Sequence, residues 1–378
     1  MTGGPDELDA CAGCLRRADL IAALAGRIDI EWRLRRGRPR LLALPDEDLL
    51  RWSEDPALWR RYERFSTEPA VDRLIAAGLA AVCGCSTDYP ASLRELPDPP
   101  AVLFTLGPAG ARFPESVAIV GARNATVHGL DVARSLARGL AAAGVPVISG
   151  MAMGIDTAAH LGALDGKGTT VAVLGCGADR PYPLRARTLH QRIAASGCVV
   201  SELPPGEPPR RWTFPARNRL IAALSTGTVV VEGGERSGSL ITADFAAELG
   251  RFVGAVPSNV TSRVSGGPHL LIKAGAELVR DTADILEALH GAAPGPDISL
   301  IIGAGPRPAS DPPPGHPIPD DLEPRQRDIL LAIEQGHGTF AELASTPDAA
   351  GTLALDLGEL ELRGLVRRVF GGRYIRAA

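Results

Sequence analysis

The stretch "VPVISGMAMGIDTAAHLGALDG", residues 145–166, runs from a short apolar segment through a small-residue loop into a helical pattern. Residues 145–149 are continuously apolar up to Ser149, as in a strand buried on both faces. Residues 156–166 carry the spacing of a helix closed by Gly166. The loop between them holds Ser149, Gly150 and Gly154. Backbone amides left over at a helix N-terminus attract anions, and glycine lets a phosphate approach the chain. Met151 and Met153 read as core plugs, Asp156 as a helix cap and His160 as a packed histidine.

The same alternation extends on both sides. Upstream lie strand "SVAIVG" (116–121) and helix "GLDVARSLARGLAAAG" (129–144). Downstream come strand 169–175, helix 185–197, strand 198–202, helix 217–225, strand 227–233, helix 240–250 and strand 251–257, with a closing helix at 282–291. Apolar strands alternating with helices predict a parallel sheet, so the fold class is α/β, a Rossmann-like doubly wound domain over residues 86–291 that begins with a connector. Its ligands are expected at the carboxyl ends of the strands. Residues 1–85 read as a small helical region without clear strands. Nine prolines between Pro294 and Pro319 mark a linker at 292–320. Residues 321–378 read as three helices and a hairpin, a winged helix.

Composition sets limits. The 378 residues are 45% hydrophobic, which suits packed domains, and no run of 18 apolar residues or signal pattern appears, so a cytoplasmic protein is expected. Net charge is −4, but residues 116–251 hold 14 Arg and Lys against 10 Asp and Glu. A locally basic central domain fits a polyanionic partner. Of the six cysteines, Cys11, Cys14, Cys83 and Cys85 have metal-like spacing without a neighbouring histidine, and read as chance cysteines of a reducing compartment. No metal and no cofactor is expected.

Four loops concentrate polar groups at strand ends. "GARNATVHG" (121–129) lacks the middle glycine of a dinucleotide fingerprint and offers Arg123 for phosphate and Thr126 as a cap. The loop opening at Ser149 is the second. "RRWTFPARNRLIAALS" (210–225) interleaves Arg210, Arg211, Arg217, Asn218 and Arg219 with Trp212 and Phe214. Basic residues beside aromatics suit single-stranded nucleic acid, although either ring serves equally well as core. Cations at a helix start oppose the dipole and therefore point to an anionic partner. "EGGERSGSLITA" (232–243) supplies Ser237, Gly238 and Ser239. Nucleophile triads and paired carboxylates are missing, and Glu202 and Glu232 alone have the position of general bases. The pattern is that of a site that holds an anion without cleaving it.

Together these motifs resemble the DNA-processing protein A family (DprA, also called Smf). The resemblance rests on "DYPASLRELPDPPAVLF", "VAIVGARNAT", "SGMAMGIDTAAH", "TVAVLGCGADRPYP", "SELPPG", "FPARNRLIAALS", "VVVEGGERSGSLITADFAAELGR" and "GGPHLLIKAGA", in order across residues 88–290. It implies a non-catalytic protein that binds single-stranded DNA in natural transformation, helps load the RecA recombinase and works as a homodimer. By resemblance, Arg123, Ser149, Gly150, Gly154, Arg217, Asn218, Arg219, Ser237, Gly238 and Ser239 line the DNA groove. Ser258 stands where the family usually has glycine, and His128 where it has tyrosine. The first 85 residues resemble the family's sterile-alpha-motif-like extension. In residues 321–378 seven arginines face nine acids, with Asp356, Glu359 and Glu361 on the expected recognition helix, so the winged helix reads as a protein-interaction module. The rival reading is a nucleoside-monophosphate phosphoribohydrolase of related fold, whose P-G-G-x-G-T-x-x-E signature "EGGERSGSLITA" does not match.

Overall fold

The computed structural model describes residues 8–35, 40–108, 115–290, 322–334, 343, 350–368 and 374–376. The chain divides into two compact units, Met1–Leu289 and His290–Ala378. In the first, the expected alternation is present. Strands β4 (Val117–Val120), β5 (Val147–Ser149), β6 (Thr170–Val173), β7 (Cys198–Ser201), β8 (Gly227–Val230) and β9 (Phe252–Ala255) are separated by helices α5 (Val127–Ala142), α6 (Ile155–Asp165), α7 (Arg187–Ser196), α8 (Thr213–Leu224) and α9 (Gly238–Glu248). All pair in parallel, in the order β7-β6-β5-β4-β8-β9. The chain builds outward from β4 to β7 and then returns to lay β8 on the other side of β4. That reversal opens a crevice between β4 and β8 at their carboxyl ends.

The strand face under α5 and α6 is closed by Val117, Ile119, Leu136, Leu140, Ile155, Ala159 and Val229, with Ile285 from α11 (Thr282–His290). α10 (Gly266–Lys273) and β10 (Glu277–Leu278) complete that edge.

The opposite edge departs from the sequence reading. Val102–Leu106, expected as part of a connector, is strand β3 and pairs antiparallel with β7. Residues 1–85, read as free of clear strands, contribute β1 (Leu8–Asp9) and β2 (Ala80–Cys83) to the same sheet. β1 has two residues and β2 four, with Val82 the single β-branched residue among them, so neither shows a period of two.

The N-terminal helices α1 (Ala12–Arg35), α2 (Asp46–Ser53), α3 (Pro56–Glu63) and α4 (Glu68–Ala77) cover this side. Leu15, Ala18 and Leu74 pack on Phe104, Ala172 and Val199 of the sheet face. Leu20, Leu24, Ile28, Leu49 and Leu50 close around Trp212.

In the second unit α12 (Pro324–Glu334) and α13 (Ala350–Leu362) bury Ile329, Leu330, Ile333, Leu353, Leu357 and Leu360. β11 (Val366–Arg368) pairs antiparallel with β12 (Tyr374–Arg376). Asp356 pairs with Arg325 at 3.1 Å, and Glu359 accepts from Gln326 at 3.0 Å, so both acids engage α12. Apart from Leu343, the expected middle helix at 339–345 lies outside the described residues, as do the turn of the hairpin and the linker at 292–320. No described helix is long and apolar enough to cross a membrane.

Candidate functional site

The crevice between β4 and β8 holds a cavity of about 600 Å³, bordered by the loop after β4, the start of α8 and the start of α9. Its floor is Arg217. That side chain is only 5% exposed, yet it lines the cavity. One guanidinium nitrogen donates to the carbonyl of Gly150 at 2.7 Å and also to that of Val173. Its Nε has no hydrogen-bond partner. Burial holds its pKa below the ordinary arginine value, with the charge of Asp156 working the other way. A cation desolvated like this attracts any anion that can reach it.

Gly150 is required by this packing, because a Cβ there would overlap the Arg217 guanidinium. Asp156 is not itself the cap of α6, the role expected of it. Gly154 occupies the cap position at φ 80°, and a side chain there would strike the carbonyl of Ala122. The Asp156 carboxylate instead accepts from the amides of Gly150 (3.1 Å) and Ala152 (3.3 Å), holding the loop closed beneath the cavity. Burial raises its pKa against the pull of Arg217.

The rim is exposed. Arg123 leaves the end of β4 and sits 5.4 Å from the ring centre of Phe214, within cation–π range. Phe214 in turn meets Tyr182 at 5.4 Å between centroids with a 38° tilt. Arg211 adds a second exposed guanidinium to the lining. Across the cavity Ser237 caps α9, accepting from the Ser239 amide, and the two hydroxyls lie 2.8 Å apart. Asn218 donates to the Gly238 carbonyl at 3.0 Å, tying α8 to that turn. The start of α9 and its dipole therefore face the same space as Arg123 and Arg217.

Seven of the ten expected residues thus gather at the crevice: Arg123, Gly150, Arg217 and Asn218 with Ser237, Gly238 and Ser239. Gly154 supports them from below. Two others are occupied inside the protein.

Ser149 is fully buried and donates to the Ile119 carbonyl at 2.6 Å, joining β5 to β4. Arg219 is 2% exposed. It pairs with Glu202 at 2.7 Å and Asp98 at 3.1 Å and also donates to the Asp98 carbonyl. Burial works against its charge, but the two carboxylates outweigh that effect and hold its pKa above the usual arginine value. On a helix, residues two apart point in different directions, and so Arg217 and Arg219 diverge.

Glu202 is therefore a partner of Arg219. Glu232 is 2% exposed and accepts from the amide of Thr126 at 2.8 Å and from its hydroxyl at 2.5 Å, fixing the start of α5. Both carboxylates considered as general bases carry structural duties.

Trp212, one of the two rings left open between core and stacking, is core. Its indole nitrogen donates to the Ala25 carbonyl at 2.9 Å. Asp29 of α1 accepts from the amides of Arg211 (3.1 Å) and Trp212 (3.4 Å), capping α8 from another helix. The sequence reading missed Asp29, 182 residues from its partner, and Tyr182. Only the proline-flanked "RPYP" hinted that a ring was being placed there.

A family model described as DNA recombination-mediator protein A matches residues 80–290, more than half of the chain. The chain belongs to that family. Protein Smf of Synechocystis is 37% identical over 317 residues, covering 76% of this chain and 78% of that protein. The crystal structure of DNA processing protein A from Streptococcus pneumoniae superposes with a TM-score of 0.58 at 34% identity, covering 72% of this chain and 95% of that one. A structure of the Helicobacter pylori protein, described for its single-stranded DNA binding mode, gives 0.51 at 29% identity, covering 56% and 95%. The family match spans the whole crevice, from Arg123 to Ser239.

Proposed function

We propose that the β4–β8 crevice binds single-stranded DNA and that the protein serves natural transformation without cutting or modifying the strand. The carrying observation is the arrangement of charge. A nearly buried Arg217 forms the floor, exposed Arg123 and Arg211 flank an aromatic pair, and the amide-rich start of α9 closes the far wall. Guanidinium groups and helix amides suit phosphate, while Phe214 and Tyr182 offer faces on which a base stacks. Family membership and the single-stranded DNA described for the Helicobacter pylori relative support the same reading.

In this reading Arg123, Gly150, Arg217, Asn218, Ser237, Gly238 and Ser239 form the contact surface, and Gly154, Ser149 and Arg219 hold it in shape. The strand is handed to the RecA recombinase, the protein acts as a homodimer in the cytoplasm, and no cofactor takes part. Residues 321–378 form a winged helix that meets protein, because acids on α13 pair with α12 where a duplex reader presents basic groups. Steeply salt-dependent duplex binding that requires this segment would count against that role.

The experiment is a titration of oligo-dT against length and salt, with duplex of equal length alongside. Affinity should grow with strand length, fall linearly on a log–log salt plot and exceed that for duplex. Saturation by a mononucleotide, or release of base from AMP, would overturn the reading.

A further inference from the structure

From sequence spacing alone, Cys11, Cys14, Cys83 and Cys85 read as chance cysteines. The fold brings them together. Cys11 follows β1 and Cys14 lies in the first turn of α1, while Cys83 ends β2 and Cys85 stands in the turn beyond it. β1 and β2 pair in parallel, with Leu8 against Ala81 and Asp9 against Val82, which places the two cysteine pairs side by side. All four sulfur atoms lie within 4.8 Å of one another. The Cys85 sulfur is 3.7 Å from that of Cys14 and 3.9 Å from that of Cys11. The backbone amide of Cys11 points at the Cys83 sulfur at 3.4 Å.

Those spacings are informative. Zinc–thiolate bonds of about 2.3 Å in a tetrahedron put sulfur atoms roughly 3.8 Å apart. A disulfide requires a sulfur–sulfur distance of about 2.05 Å, and all four thiols are free. Each pair sits on a tight turn. Leu15 donates to the Cys11 carbonyl and Ser86 to that of Cys83, so both turns present two side chains to one side. The remaining cysteines, Cys176 and Cys198, are buried in the core and join no such group.

We infer that Cys11, Cys14, Cys83 and Cys85 bind a single structural zinc ion that clamps the N-terminal strand and α1 to the edge of the sheet. Four thiolates complete a tetrahedron, which leaves no open position for catalysis and assigns the ion a structural role. Soft sulfur ligands in this geometry select zinc over magnesium, calcium or manganese. The site also has a mechanical purpose. β1 is two residues long and both of its residues are exposed, so strand pairing alone holds that end of the chain weakly. Cross-linking it to β2 closes a loop of about 70 residues at the edge of the sheet.

The test uses the full chain, purified under reducing conditions without added metal and analysed by inductively coupled plasma mass spectrometry. About one zinc per chain is expected, because four thiolates saturate one ion. Cys11→Ser and Cys85→Ser remove exposed ligands with little risk to the core, and each should lower the content at least tenfold. Cys176→Ser, outside the cluster, should leave it unchanged. Reconstitution of the stripped protein with cobalt should produce the intense visible bands of a tetrahedral thiolate site. Hydrogen exchange at residues 8–15 should quicken when zinc is removed. Wild-type protein free of metal with four thiols open to Ellman's reagent would overturn the assignment. So would a disulfide within the group, or undiminished zinc in both ligand variants.

Discussion

Arg123 and Arg219 look alike in the sequence, and the structure assigns them opposite consequences on replacement by alanine. Arg219 is buried, with one face against Glu202 at 2.7 Å and the other against Asp98 at 3.1 Å. Its removal leaves two carboxylates in a poorly solvated site. Breaking a buried pair in this way costs about 3–5 kcal/mol, and for a unit of this size the melting temperature should fall by on the order of 10 °C. Measured well below that melting point, the salt dependence of oligo-dT binding should be unchanged, because no phosphate contact has gone. Arg123 is exposed and joined to the protein chiefly through the Phe214 ring at 5.4 Å. Its loss should move the melting temperature by less than about 2 °C, as for surface positions generally. The slope of log affinity against log salt should drop by about 0.7, the value for one phosphate contact on a single strand. Extrapolated from 1 M salt, that slope amounts to about fivefold weaker binding near 0.1 M. Thermal melts and fluorescence anisotropy with labelled oligo-dT at four salt concentrations supply both readouts. If Arg219→Ala leaves stability intact and flattens the salt slope, Arg219 is a phosphate contact and its structural role is refuted.

Three further outcomes follow from particular contacts. Phe214→Ala should weaken oligonucleotide binding by about 1–3 kcal/mol and by the same factor for dT and dA, since stacking is tolerant of sequence. Equal affinity in wild type and variant would place the ring outside the path of the strand. Trp212→Ala should destabilise the first unit by about 3–5 kcal/mol in urea unfolding, and Asp29→Ala by about 1–2 kcal/mol through the lost cap on α8. If neither change is detected, the N-terminal helices are not docked as described. His160 is fully buried, and burial pushes its pKa down to about 3. The Thr170 hydroxyl donates to the Val147 carbonyl and therefore accepts from His160 Nδ1, which leaves Nε2 unprotonated and without a partner. The folded state thus refuses a proton that the unfolded chain accepts near pH 6.5. The contribution is fully present above that pH and is lost at roughly 1.4 kcal/mol per pH unit between about pH 6 and 4. His160→Gln should flatten this part of the stability profile, and an unchanged profile would refute the assignment.

Much of this was legible along the chain. Apolar strands alternating with helices determine a parallel sheet, because strands buried on both faces admit few polar residues. Loops rich in glycine, serine and arginine at strand ends mark the side on which a ligand sits. These are local patterns, and residues 116–257 carry them without interruption. What the sequence left undecided was direction and partnership. Whether an arginine faces solvent or a buried acid depends on the groups the fold sets opposite it, and Asp98 and Glu202 lie 121 and 17 residues from Arg219. Trp212 became core only because α1 arrives from 187 residues upstream to receive it. The four cysteines became neighbours only through the pairing of β1 with β2. Periodicity reports which face of an element is apolar, whereas the contents of a polar site are fixed by tertiary contacts that no local pattern encodes.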